Sequence, residues 1–154
     1  MSLKEQAWHV VGQVALERPA KGKSYEEWAE ALQVSGQKLQ SKLAMMPPSY
    51  ENRRVLRHMI GIERWGQSRL RVLLGHPLVM DQYDGYRPPR ATPWDALRDE
   101  FAATRGETID LTRRLAWSPV TFDTVPHNDV GPLTARGWLA YLDGHARRES
   151  RKLK

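Results

Sequence analysis

The chain has 154 residues, 40% hydrophobic and 27% charged, which suits one globular domain with a real core. It has no cysteine, so disulfides, thiolate ligands and a cysteine nucleophile are excluded. The formal net charge of +6 is compatible with a polyanion partner, but Arg53, Arg54, Arg57, Arg64, Arg69 and Arg71 are interrupted by acidic and apolar positions. Without a nucleic-acid motif beside them, they read as a solvated face, and nucleic-acid binding is not expected.

No apolar run approaches bilayer-spanning length. The start MSLKEQAWHV lacks the charged, apolar and small-residue parts of a signal peptide. A cytoplasmic protein with no membrane partner is expected. One domain over residues 1–154 is expected, with residues 1–23 as an N-terminal extension.

The first predicted element is a short helix over Leu3–Leu16. Leu3, Ala7, Val10 and Val14 form an apolar row widened by Val11, and Pro19 ends the helix. Ser24 with Glu27 is a capping-box signature. The helix it opens carries Trp28, Ala31, Leu32, Leu39 and Leu43 on its inner face and stops at Pro47-Pro48.

Ser49 caps the next helix, Tyr50–Leu74, whose apolar side holds Val55, Met59, Ile62, Trp65 and Leu73. His58 lies in that same face, and Gly75 suits the position just past the end. The connection His76–Ala91 is longer than a tight helical turn needs, as in a crossover.

Thr92-Pro93-Trp94-Asp95 reads as cap, N1 proline and first-turn acid. Leu97, Phe101, Thr104, Thr108, Leu111 and Leu115 mark the buried face of the helix that follows, which ends near Trp117. Val120–Pro132 reads as irregular, with at most an extended piece at Val120–Phe122. The last helix falls within Leu133–Leu153, starting at Gly131-Pro132 or Thr134. Four substantial helices, a short leading one and no convincing strand predict an all-α bundle.

The last helix breaks its own pattern. Trp138, Leu142, His145, Glu149 and Leu153 share one face, so an imidazole and a carboxylate stand one turn apart in a stripe otherwise made for a core. An unpaired buried carboxylate is costly, so the stripe either turns to solvent or faces a cation. His58 lies roughly 12 Å into its helix, and His145 and Glu149 roughly 5–12 Å from the end of theirs, at 1.5 Å per residue. If those helices run antiparallel, two imidazoles and a carboxylate reach one level. That set suits zinc, nickel or ferrous iron, with coordination positions left open.

Other candidates have plainer readings. His127 reads as a solvated loop residue or a pocket-lining acid/base, His76 as a helix-end residue, and His9 as surface or packing. Glu63 follows His58 by five residues, which faces it elsewhere. Asp81, Tyr83 and Asp84 lie on a surface loop that would be placed to cover the site. The six tryptophans read as core and interface anchors. No glycine-rich phosphate loop and no Gly-x-Ser-x-Gly elbow is present.

The patterns VLRHMIGIERW around His58, PLVMDQYDGY, WDALRDEFAATRGETIDL and the last helix with His145 together resemble the DinB/YfiT-like superfamily, over about Ser24–Lys152. The resemblance implies a four-helix bundle in up-down-down-up order. It also implies a divalent metal held by one histidine of the second long helix and an H-x-x-x-H pair on the last. His58 and His145 match the first two of these, and Glu149 stands in place of the third. Relatives of this kind include metal-dependent transferases that use a small-molecule thiol, such as bacillithiol or mycothiol, against an electrophilic substrate, and a thiol-dependent isomerase. Homodimers are frequent among them. The expectation is therefore a metal-dependent thiol transferase; the alternative is a non-catalytic dimeric binding or stress-response protein whose metal site is degenerate.

Overall fold

Side-chain caps set where most helices begin. The computed structural model describes residues 1–118 and 124–154. Ser2 opens α1 (Leu3–Val11) with a complete capping box to Glu5. The hydroxyls of Ser24, Ser49 and Thr134 accept N–H groups in the first turns of α2 (Tyr25–Ala44), α3 (Tyr50–Val72) and α5 (Ala135–Ser150). At α4 (Trp94–Trp117), Pro93 rather than Thr92 occupies the cap position, without a side-chain hydrogen bond. Gly75, at φ 97°, follows α3 in the left-handed conformation expected of it.

One expectation for the leading segment needs correction. Pro19 does not end the helical path: a π-helical stretch, Gly12–Glu17, leads into one further turn, Arg18–Ala20. Proline is tolerated there because it falls in the first turn of that piece, where an N–H would lack a partner anyway. In the apolar row, Leu3, Val10, Val11 and Val14 are all exposed. The segment is instead docked through polar atoms. Buried Glu17 accepts from the backbone N–H and the hydroxyl of Thr134, both at 2.7 Å, at the positive end of α5.

The expected extended piece at Val120–Phe122 lies outside the described residues. Just after it comes a hairpin where only irregular chain was expected: β1 (Val125–His127) pairs antiparallel with β2 (Gly131–Leu133), Val125 opposite Leu133. Each strand is three residues long with a proline at its centre, too short and too poor in donors for an alternating pattern to register.

The four long helices pack on one another, with directions visible in their contacts. Asn52 meets Lys154 while His58 meets His145, so α3 and α5 run in opposite senses. Arg64 pairs with Glu100 and Arg71 with Glu107, so α3 and α4 run in the same sense. Ser35 meets Asp143 and Lys42 meets Ser150, so α2 and α5 also run together. The inner faces of the four long helices read from the periodicity are the buried ones, with Ala31, His58 and Glu149 half-exposed. Four tryptophans are buried, while Trp8 and Trp117 are exposed.

Between two apolar clusters lies a polar layer. The Arg105 guanidinium forms a two-pronged bond to Glu63 at 2.7 and 3.0 Å. It also donates to the Leu32 carbonyl and the Ser35 hydroxyl, and stands 3.5 Å from Asp143. Thr108 completes the Glu63 carboxylate at 2.9 Å, and Gln67 bonds Thr108 in turn. Burial favours a neutral Arg105, but Glu63 and Asp143 outweigh it and hold the guanidinium charged. A second buried guanidinium, Arg69, gathers Val79, Asp81, Asn128 and Pro126, tying the long connection and the hairpin to α3.

Removing one member of the central pair strands its partner's charge. Arg105→Met is expected to lower the unfolding free energy by about 3–5 kcal/mol in urea titrations. The double variant Arg105→Met/Glu63→Leu is expected to lose markedly less than the sum of the two single changes.

Candidate metal centre

His58 on α3 and His145 on α5 meet across the helix interface, their Nε2 atoms 3.2 Å apart and their rings at 62°. Glu149 lies one turn beyond His145. Ligand atoms of all three residues lie within 4.8 Å of one another. The convergence expected from matched depth on antiparallel helices is thus present. Gly66 helps to set the spacing: a Cβ there would collide with the Leu142 side chain, so its absence lets the helices close in.

The donor set fits a divalent cation. Two nitrogens bound to one tetrahedral ion at 2.0–2.1 Å stand about 3.3 Å apart, close to the spacing seen. Burial pushes the His145 imidazolium down to about 4, aided by the nearness of His58. Burial also lowers His58, helped by the positive charges of Arg87, Lys152 and Arg54. For Glu149, burial favours the neutral acid, but the Lys152 hydrogen bond and the two imidazoles prevail and hold it below the usual range. At neutral pH the cluster therefore offers free lone pairs and one negative charge, the form a cation needs. Lys152 reaches Glu149 Oε1 at 2.8 Å with a largely exposed side chain, so that pair is weak and leaves the second oxygen available.

The long connection supplies the covering. The Tyr83 ring stands edge-on to His58, centroids 5.3 Å apart, and the Tyr141 ring centroid lies 6.1 Å from that of His145. A cleft of about 280 Å3 runs past His58, Tyr83 and Glu149, with Arg57, Arg87 and Lys152 along its wall. Asp81 and Asp84 do not face the cluster; they brace the connection by pairing with Arg69 and Arg87.

His127 is not a solvated loop residue. It is 5% exposed, packed among Trp65, Trp138 and Tyr141. Its Nδ1 accepts the N–H groups of Asp129 and Val130 at 3.1 and 3.2 Å, so the neutral ring carries its proton on Nε2. Burial pushes its pKa down to about 4. Its place in the hairpin decides this, and no pattern in residues 125–133 announces it. His76 is exposed at the end of α3, and Glu63 faces Arg105 rather than His58. Sequence reasoning missed Arg87, which the long connection returns to α3 beside the cluster. The only signal in the chain was the run Arg87-Pro88-Pro89-Arg90 in a segment rich in turn residues.

Comparison with protein-family models, with curated proteins and with solved structures finds no match to this chain.

Both His127 and His145 bind protons near pH 4 when folded and near 6.5 when unfolded. The unfolded chain thus holds more protons in that window, so stability is complete above about pH 6.5 and falls as pH drops toward 4. In metal-free protein, urea unfolding between pH 5 and 6.5 is expected to lose about 1 kcal/mol per pH unit for each of these histidines. His127→Gln is expected to flatten that slope by one such share.

Proposed function

We propose that this chain is a divalent-metal-dependent enzyme of the DinB/YfiT-like kind, holding its ion with His58, His145 and Glu149. The observation that carries the reading is the meeting of two imidazoles and a carboxylate from two helices; burial lowers the pKa of both imidazoles, which favours the neutral, ligating form. The pairwise helix directions support an up-down-down-up four-helix bundle, with the long connection between α3 and α4 as its crossover. Zinc or nickel suits the nitrogen-rich set best, and iron is compatible with it. A homodimer belongs to the same proposal on the resemblance alone.

The reaction proposed is transfer of an electrophilic group to a small-molecule thiol. A bound divalent ion supplies a Lewis acid beside which a thiol is favoured as its thiolate. The chain's own contributions are distinct from that. Tyr83 packs against His58 and Tyr141 lies beside His145, which limits the access of water to the two imidazoles. The cleft beside Glu149 gives a second reactant a place within reach of the cluster. The new bond joins thiolate sulfur to the electrophilic atom, the leaving group departs with its electron pair, and the thiol proton passes to solvent.

A second reading has its own observation. Lys152 already occupies one oxygen of Glu149, and the two Nε2 atoms are close enough for a direct hydrogen bond. This favours a degenerate site in a non-catalytic dimeric binding protein.

The two readings differ in metal affinity. Untagged protein is expected to hold close to one equivalent of zinc or nickel by elemental analysis, and His145→Ala close to none. At a metal concentration 100-fold above Kd, the unaltered protein is expected to gain about 2.7 kcal/mol of stability that the variant lacks. Equal, negligible metal in both proteins would leave only the second reading.

A further inference from the structure

The cleft at the cluster does not end there. Arg54, Arg57 and Arg87 line it, and the same three line a second cleft of about 210 Å3 that continues along Tyr50, Arg53 and Arg90. The shared walls make one groove, rich in guanidinium, with the three-residue cluster at one end. We propose that this groove seats the anionic end of a small-molecule substrate, a phosphate or neighbouring carboxylates, with its reactive end lying at His58 and Glu149. This rests on the metal-enzyme reading only for the word reactive; the binding site stands by itself.

Three observations carry the inference. Charge in the groove is not balanced by the protein: Glu51 and Asp84 pair with Arg54 and Arg87 from exposed positions, but Arg53, Arg57 and Arg90 have no carboxylate partner among the described residues. Burial lowers Arg57, and the positive charges of Arg87 and Arg90 lower it further, so the guanidinium groups repel one another. Moreover, the Nε atoms of Arg53 and Arg87 are buried without a hydrogen-bond partner, so no protein acceptor offsets these two guanidinium groups there.

The groove is also built rather than incidental. Gly61 lacks the Cβ that would strike the Arg87 side chain, so Arg87 can lie flat against α3. Arg57 Nε donates to the Pro88 carbonyl at 2.8 Å, which fixes the connection to the helix. Planar guanidinium forks suit phosphate and carboxylate oxygens in pairs. Clefts of this size hold a small molecule and not a nucleic-acid duplex.

The test is calorimetric titration of metal-free protein with inorganic pyrophosphate and with propane-1,2,3-tricarboxylate, at low salt, against sodium chloride of equal ionic strength. Saturable binding of either probe is expected, weakened roughly tenfold or more in Arg57→Gln/Arg87→Gln, with zinc content and circular dichroism unchanged. Preference between the probes tells a phosphoester from a polycarboxylic acid. If that double variant does not fold, Arg53→Gln/Arg90→Gln is expected to show the same loss. Binding no stronger than chloride, or binding untouched by the arginine variants, would overturn the inference. So would tight binding of a single-stranded oligonucleotide without binding of either probe. Protein that holds zinc but neither anion sinks this inference alone. Protein that holds an anion in the groove but never zinc sinks the metal reading alone.

Discussion

The buried guanidinium of Arg105 touches all four long helices. It is anchored on α4, forked onto Glu63 of α3, bonded to Leu32 and Ser35 of α2, and close to Asp143 of α5. Hydrophobic faces alone tolerate sliding and rotation, because apolar contact is non-directional. A network centred on a charged pair, Arg105 and Glu63, each 1% exposed, does not, since each misplaced donor would be left dry. Net stability from such a pair is small after desolvation; its effect is to favour one register of the four helices.

That register is what the candidate site needs. Glu63 and His58 lie on the same helix, and Asp143 and His145 on another. Holding Glu63 near Asp143 through Arg105 sets the axial alignment of α3 and α5, and with it the 3.2 Å meeting of His58 and His145. Arg69 acts similarly on the irregular segments. By gathering Val79, Asp81, Pro126 and Asn128, it holds the connection whose next turn carries Tyr83 onto His58. Two buried arginines thus position a cluster neither of them touches.

The arginines of the groove act in the opposite way. Arg53, Arg57, Arg87 and Arg90 contribute repulsion rather than cohesion, and the fold tolerates it beside the one acidic residue of the cluster. A site with a small negative charge at its closed end and strong positive charge along its approach draws in an anion and orients it. No helix among the described residues is long and apolar enough to cross a membrane.

Much of this was legible in the chain. Helix number, most caps, the buried faces and the triad of His58, His145 and Glu149 follow from 3.6-residue periodicity and from short-range capping chemistry, which are local. The depth argument worked because α-helical rise is constant, so position along a helix converts directly into height. What only tertiary structure decided involves partners distant in sequence. The proline-centred hairpin, the burial of His127 among three aromatic rings, the exposure of the α1 apolar row and the return of Arg87 to α3 depend on loop paths that carry no periodicity. Nor did any spacing mark Arg105, since a buried arginine looks like a surface one until its carboxylate, 42 residues away, is brought to meet it.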